Sequence, residues 1–138
     1  MPLTTDPAEP PSQSGWATMC TGEFAALGVP TVVATDDGTL GFPGFVHQAF
    51  LGWLDQRRIA PGDLAVYACG PAPMLKALGE VCLGRGIDCQ LAMERHMGCG
   101  MGVCQSCIVK VRAGPEPGWR YALVCKEGPV FDAREVLW

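Results

Sequence analysis

The chain has 138 residues, which leaves room for one ordinary domain with a small appendage. Apolar residues make up 49% of it, a composition typical of a globular core, and no apolar run approaches the ~20 residues needed to span a bilayer. Eight cysteines without an N-terminal charged and apolar signal indicate metal or redox chemistry in a reducing compartment. We therefore expect a cytoplasmic protein that has no membrane partner.

The net charge of −4 is unevenly distributed along the chain. Residues 1–94 carry four Lys or Arg and ten Asp or Glu, a formal charge of −6, whereas residues 95–126 carry five Lys or Arg and one Glu, a formal charge of +4. Cations would offset an anionic group held in this second segment. A solvated basic face or a nucleic-acid patch is the alternative, which we disfavour because the cations are few and lack interleaved aromatic residues.

The first sixty residues predict a lead-in followed by a strand and a helix. Residues 1–20 contain four prolines and no hydrophobic period, and are predicted to be disordered. A short helical turn is predicted over 23–27, and a β-branched strand over 30–35 that ends at an Asp-Asp-Gly turn. Apolar residues at helical spacing from 45 to 54 then predict a helix, with two arginines in its last turn.

The next elements continue this alternation of strands and helices. An apolar strand is predicted over 63–68, a helix over 74–84 and an alternating strand over 87–93. Strand–helix–strand–helix–strand with short links is the right-handed βαβ pattern of a parallel sheet. Short strands over 108–111 and 121–124 follow. We predict an α/β fold, with a partial parallel-sheet unit over 21–94 and a small cluster-binding domain over 95–138.

Four cysteines have the spacing of an iron–sulfur site. Cys99, Cys104, Cys107 and Cys125 are separated by four, two and seventeen residues. The first two gaps match the plant-type spacing C-x4-C-x2-C…C, in which a distant fourth cysteine completes the site. Four thiolates suit a [2Fe–2S] cluster, with two for each iron, and the glycines between them let backbone N–H groups approach the sulfides.

A structural zinc site is the alternative, because tetrahedral sites of four cysteines also hold zinc. Zinc sites usually consist of two C-x2-C-like knuckles, however, and Cys125 has no cysteine near it in sequence. A disulfide framework is less favoured still, since no oxidising compartment is indicated.

Two sites after the predicted strands are candidates for nucleotide contacts. Asp36 and Asp37 follow the first strand, where a carboxylate can accept hydrogen bonds from ribose hydroxyls, although a plain Asp-Gly turn is the alternative. Cys69, Gly70 and Pro71 follow the second strand, where a free N–H can meet a phosphate or a carboxamide. No G-x-G-x-x-G loop precedes the first strand, so half of any dinucleotide site is missing or supplied by another chain.

Four motifs in this order resemble a known family. They are T-D-D-G-T-L-G-F-P-G-F-V (35–46), Y-A-C-G-P-A-P-M-L-K (67–76), M-G-C-G-M-G-V-C-Q-S-C (97–107) and V-C-K-E-G-P-V-F (124–131). The chain resembles the C-terminal portion of the electron-transfer subunit of NAD-dependent (class B) dihydroorotate dehydrogenase. The C-G-P-x-P-M turn relates it to the ferredoxin-reductase-like superfamily.

The resemblance implies an electron relay in pyrimidine biosynthesis. In that family the subunit binds FAD, a [2Fe–2S] cluster and NAD, and forms a heterotetramer with an FMN-containing catalytic subunit. Dihydroorotate reduces the FMN, and electrons pass through the cluster to FAD, which delivers a hydride to NAD+. By position, the resemblance implies cluster ligands at the four cysteines, a nicotinamide-side wall at residues 69–71 and a nucleotide-facing carboxylate at Asp36 or Asp37.

The sequence departs from the family in lacking the flavin-binding β-barrel and the first βα unit. We therefore expect a component of an oxidoreductase that does not form complete FAD and NAD sites by itself. Two alternatives are a related iron–sulfur flavoprotein reductase subunit, serving a hydrogenase or a glutamate-synthase-like enzyme, and a zinc-stapled interaction domain.

Overall fold

A computed structural model describes residues 20–116 and 118–138 of the chain. The predicted disordered lead-in lies outside the described residues except for its last residue, Cys20. The chain divides into two compact units, Met1–Arg58 and Ile59–Trp138. The subdivision predicted at residues 94 and 95 lies inside the second unit and stays a prediction.

The described part of the first unit contains two helices and two very short strands: α1 Thr21–Ala26, β1 Ala34–Thr35, β2 Phe42–Pro43 and α2 Val46–Arg57. The strands pair in parallel, so the strand predicted over 30–35 forms a ladder only at its end. Gly41 has a φ of +72°, and a Cβ there would collide with the carbonyl oxygen of Val33. Glycine therefore allows the tight return in which Phe42 N–H donates to Val33 at 2.8 Å.

The second unit holds two three-stranded sheets. Its elements, after a 3-10 turn at Pro61–Asp63, are β3 Ala65–Cys69, α3 Ala72–Arg85, β4 Asp88–Ala92, β5 Ile108–Arg112, β6 Trp119–Leu123, α4 Val124–Glu127, β7 Val130–Asp132 and β8 Val136–Leu137. One sheet has the order β3-β4-β7, with β3 and β4 parallel and β7 antiparallel. The other has the order β6-β5-β8 and is antiparallel.

The β3–α3–β4 unit confirms the predicted parallel crossover, and the mixed α/β fold class is confirmed with it. Strand β1 pairs with β2 rather than with β3 or β4, so the three predicted strands do not form one sheet in the described residues. Elements α4, β7 and β8 were not predicted, because two to four residues are too few to show a period.

The core of the second unit lies between α3 and the sheet of β4. Leu91 on β4 is fully buried, Leu75 on α3 is 1% exposed, and Phe131 on β7 is the strand partner of Leu91. Helix α3 ends at Gly86, whose φ of +69° suits glycine at a helix end. Among the described residues, no helix has the length and apolar composition needed to cross a membrane.

Candidate metal centre

The cysteine loop, defined as residues 99–107, connects the segment after β4 to β5 and has a tightly curled backbone. Gly100, Gly102 and Gln105 all have φ between +57° and +89°. A Cβ at Gly102 would lie only 3.0 Å from Cγ of Lys126, which follows Cys125 on α4. Glycine at this position therefore lets the loop approach the element that carries the fourth cysteine.

Helix α4 is attached to the base of the cysteine loop. Val124 N–H donates to the carbonyl oxygen of Cys107 at 3.0 Å, and the Glu127 carboxylate accepts from the N–H of Leu123 at 3.0 Å. Arg120 on β6 forms a 2.6 Å ion pair with the same carboxylate. These contacts hold Cys125 beside the loop although seventeen residues separate it from Cys107.

The structure brings the four predicted cysteines together as two pairs. Cys104 N–H donates to Sγ of Cys99 at 3.4 Å, and the two thiols also interact with each other. Cys125 lies next to Cys107, because Val124 N–H donates to the carbonyl oxygen of Cys107, and it also lies close enough to Cys99 for their charges to interact. Within the described residues, no three His, Cys, Asp or Glu side chains converge on a point that could hold one metal ion.

The hydrogen bonds of the loop favour the thiolate form of the first pair. Backbone N–H groups, that of Cys104 first and that of Met101 second, lower the pKa of Cys99. The hydroxyl of Ser106, followed by its N–H, lowers the pKa of Cys104 to about 6. The neighbouring thiol of Cys107 instead raises the pKa of Cys125. Because metals bind deprotonated sulfur, the donors around the first pair are of the kind that a metal site requires.

Ser106 is a candidate site residue that the sequence analysis did not identify. Its hydroxyl oxygen lies 3.1 Å from Sγ of Cys104, accepts from Gly98 N–H at 3.2 Å and lies 3.2 Å from the carbonyl oxygen of His96. It thereby connects the segment before the loop to one of the candidate ligands. A hydroxyl residue between two closely spaced cysteines is the only signal for it in the sequence.

The predicted nucleotide residues belong to different units. Asp37 accepts hydrogen bonds from N–H and Oγ1 of Thr39 at 3.0 and 2.8 Å, which lower its pKa and make it part of a local turn. Asp36 is exposed beside it. Residues 69–71 lie in the second unit, at the end of β3 and the start of α3. A nucleotide role for these five residues stays a prediction.

Comparison with known proteins agrees with the cysteine pattern. Residues 94–137 match the family described as the iron–sulfur cluster binding domain of dihydroorotate dehydrogenase B. The resemblance to the electron-transfer subunit of that enzyme is confirmed. The chain is 42% identical over 115 residues to the subunit of Caldanaerobacter subterraneus subsp. tengcongensis and 44% identical over 115 residues to that of Geobacillus thermodenitrificans. Each match covers 83% of this chain, and 43% and 40% of the two relatives.

A solved structure supports the same fold class. The chain superposes with a TM-score of 0.65 and 26% identity on an NADH-dependent reduced ferredoxin-NADP oxidoreductase described in terms of flavin-based electron bifurcation. The superposition covers 84% of this chain and 38% of that one. The chain thus spans less than half the length of these relatives.

Proposed function

We propose that this chain is an iron–sulfur electron-transfer component that holds a [2Fe–2S] cluster on Cys99, Cys104, Cys107 and Cys125. The observation that carries the proposal is the convergence of these cysteines at one curled, glycine-rich loop, where Cys104 N–H donates to Cys99 and the backbone beside Cys125 is bonded to Cys107. A cluster with two irons takes two thiolates at each iron, so Cys99 and Cys104 would serve one iron, and Cys107 and Cys125 the other.

The cysteine spacing also bears on the zinc alternative. A tetrahedral zinc site gathers its four sulfurs around one ion at about 2.3 Å. A [2Fe–2S] cluster divides four sulfurs between two irons, and C-x4-C-x2-C followed by one distant cysteine is the spacing of such a site rather than of two zinc knuckles. The match of residues 94–137 to an iron–sulfur cluster binding domain supports the same choice.

A bound cluster would supply one-electron chemistry, because its irons accept and release single electrons. The chain contributes groups that stabilise the added negative charge. The N–H of Cys104 donates to Sγ of Cys99, the Ser106 hydroxyl lies within hydrogen-bond distance of Sγ of Cys104, and Lys126 lies against the loop at Gly102. Met101 and Val103, 67% and 75% exposed, leave the loop accessible to a partner.

We further propose that the redox partner is the FMN-containing catalytic subunit of a dihydroorotate dehydrogenase. Electrons from dihydroorotate would pass through the cysteine loop toward FAD and NAD+, in a cytoplasmic heterotetramer of the family's kind. The names of the relatives, which are electron-transfer subunits of the NAD+ type, support this proposal. Alone, the chain would be a subunit rather than a complete catalyst.

Metal analysis and visible absorption of the purified chain test the cluster directly. The chain should be brown when isolated without oxygen, contain two irons and two acid-labile sulfides, and lose visible absorbance on addition of dithionite. A colourless protein with stoichiometric zinc would refute the assignment.

A related reductase subunit is the second candidate, favoured by the superposition on a ferredoxin-NADP oxidoreductase. Dihydroorotate together with a class B catalytic subunit should reduce the chain if the first candidate is right. Reduction by reduced ferredoxin but not by this pair would favour the second.

A further inference from the structure

The exposed face of the sheet β6-β5-β8 combines aromatic, aliphatic and cationic side chains. We call it the aromatic face, and define it as Ile108, Lys110 and Arg112 on β5 with Trp119, Tyr121 and Leu123 on β6. In the strand register Lys110 is opposite Tyr121, and Arg112 is opposite Trp119. Of the intervening residues, Val109, Val111 and Ala122 are buried, whereas Arg120 is exposed and paired with Glu127.

The cations of this face lie among aromatic rings. Lys110 Nζ is 4.2 Å from the centroid of the Trp119 ring, and Tyr121 meets the same ring edge-on at 5.3 Å. The expectation that the basic segment lacks interleaved aromatics is therefore wrong, because strand pairing brings β6 alongside β5. Within the described residues, neither Lys110 nor Arg112 forms an ion pair. Arg112 Nε donates to the carbonyl oxygen of Arg134 at 2.9 Å, so Lys110 is the cation whose charge is available to a binding partner.

The aromatic face begins at the cysteine loop. Ile108 directly follows Cys107, and Cδ1 of Leu123 lies 3.5 Å from the position that a Cβ on Gly102 would occupy. A protein seated on this face would therefore also cover the loop. Proximity of this kind is what electron transfer requires, because the rate falls steeply with distance.

We propose that the aromatic face docks the redox partner of the cysteine loop, and that this partner presents carboxylates set among apolar side chains. The inference rests on the proposed function. Exposed tyrosine and tryptophan are the residue types that dominate binding at interfaces, and Tyr121 is 57% exposed. Lys110 and Arg112 make this face cationic in a chain of net charge −4, which selects an acidic surface and steers its approach.

A second copy of this chain fits the face less well. A symmetric dimer through the same patch would bring Lys110 and Arg112 close to their equivalents in the partner copy. Like charges placed together at an interface oppose association.

Binding to a catalytic subunit tests the proposal with charge variants. The cluster-containing chain is titrated with the dihydroorotate dehydrogenase B catalytic subunit of Geobacillus thermodenitrificans, and Kd is measured by calorimetry at low and high salt. Lys110→Gln should raise Kd about threefold and Lys110→Glu about tenfold, with a weaker salt dependence. Lys76→Glu, an exposed position on α3, is the matched control and should stay within about twofold.

The outcomes separate this proposal from the function it rests on. Wild-type affinity in both Lys110 variants, or no binding by a wild-type chain with an intact cluster spectrum, would overturn the docking face and leave the cluster assignment standing. Binding of single-stranded DNA that is lost in Lys110→Glu would overturn it in favour of a nucleic-acid surface. Self-association that is lost in the same variant would overturn it in favour of a second copy. A chain without iron would instead refute the proposed function.

Discussion

Ser106 lies at the centre of the hydrogen bonds in the cysteine loop, and its single hydroxyl proton has two possible acceptors. It can be donated to the carbonyl oxygen of His96 or to the sulfur of Cys104. A protonated Cys104 can itself donate to Ser106, but a thiolate can only accept. We therefore expect the Ser106 hydroxyl to turn toward the sulfur when Cys104 is a ligand.

Ser106→Ala should lower the reduction potential of the cluster without preventing its assembly. A hydrogen bond to the sulfur stabilises the charge added on reduction, and its loss should cost about 1 kcal/mol, or about 40 mV for one electron. Ser106→Thr, which keeps the hydroxyl, should retain the potential. Redox titration followed by visible absorbance measures it. Equal potentials in the wild type and Ser106→Ala would contradict this role.

Cys104→Ser should abolish cluster assembly, because the loss of one thiolate exposes an iron to solvent. Iron content after anaerobic reconstitution measures the effect, with Cys20→Ser as the matched control at an exposed cysteine outside the loop. The control should bind iron like the wild type. A normal rhombic reduced spectrum in Cys104→Ser would refute its assignment as a ligand.

The sequence predicts the four candidate cysteine ligands, but it does not predict how they are arranged. The spacing of Cys99, Cys104 and Cys107 is a local sequence pattern that does not depend on the conformation of the backbone. The pairing of Cys107 with Cys125 depends on α4, a helix of four residues, and on its bond to the loop. Both are tertiary features without a sequence period.

The β3–α3–β4 crossover is the element that supports the cysteine loop. Strand β4 pairs with β3 on one side and with β7 on the other, and its buried residues face α3. The loop begins seven residues after β4 ends, and the intervening Met93 N–H donates to the carbonyl oxygen of Pro129 at 2.8 Å. A substitution that destabilises this core should therefore also destabilise the metal centre.

Leu91→Ala should lower the free energy of unfolding by about 2–5 kcal/mol, because it leaves a cavity at a fully buried position of β4. Leu83→Ala on α3 is the matched control, since Leu83 is 44% exposed and should cost less than about 1 kcal/mol. Urea unfolding of the metal-free chains, followed by far-UV circular dichroism, compares them. Equal losses in the two variants would contradict the position of the core.

Among the helices and strands, the sequence predicts those with a periodic apolar pattern and misses those of only two to four residues. The apolar run of β3, the helical spacing in α3 and the alternation in β4 identify the crossover. Strands β7 and β8 have three and two residues, so only their pairing with β4 and β5 defines them. Pairing between segments that are distant along the chain produces no recognisable pattern in the local sequence.

The whole chain spans less than half the length of the electron-transfer subunits that it resembles. The charge of the chain is unevenly distributed, with the basic segment at the cysteine loop and the acidic excess elsewhere. We expect a division of labour in which this chain supplies the one-electron centre and a β-barrel of the family's kind supplies most of the flavin site.

The isolated chain should accordingly bind no FAD. The resemblance assigns the flavin site to a β-barrel that is not among these 138 residues. Incubation with FAD, desalting and flavin fluorescence after denaturation measure retention, with a full-length relative as the positive control. Stoichiometric FAD on the isolated chain would contradict this division of labour.

Electron paramagnetic resonance of the dithionite-reduced chain tests the central claim most directly. A [2Fe–2S] cluster on the two cysteine pairs should give a rhombic signal that integrates to one spin for every two irons. A reduced sample with no such signal and stoichiometric zinc, or the spectrum of isolated high-spin iron, would contradict it.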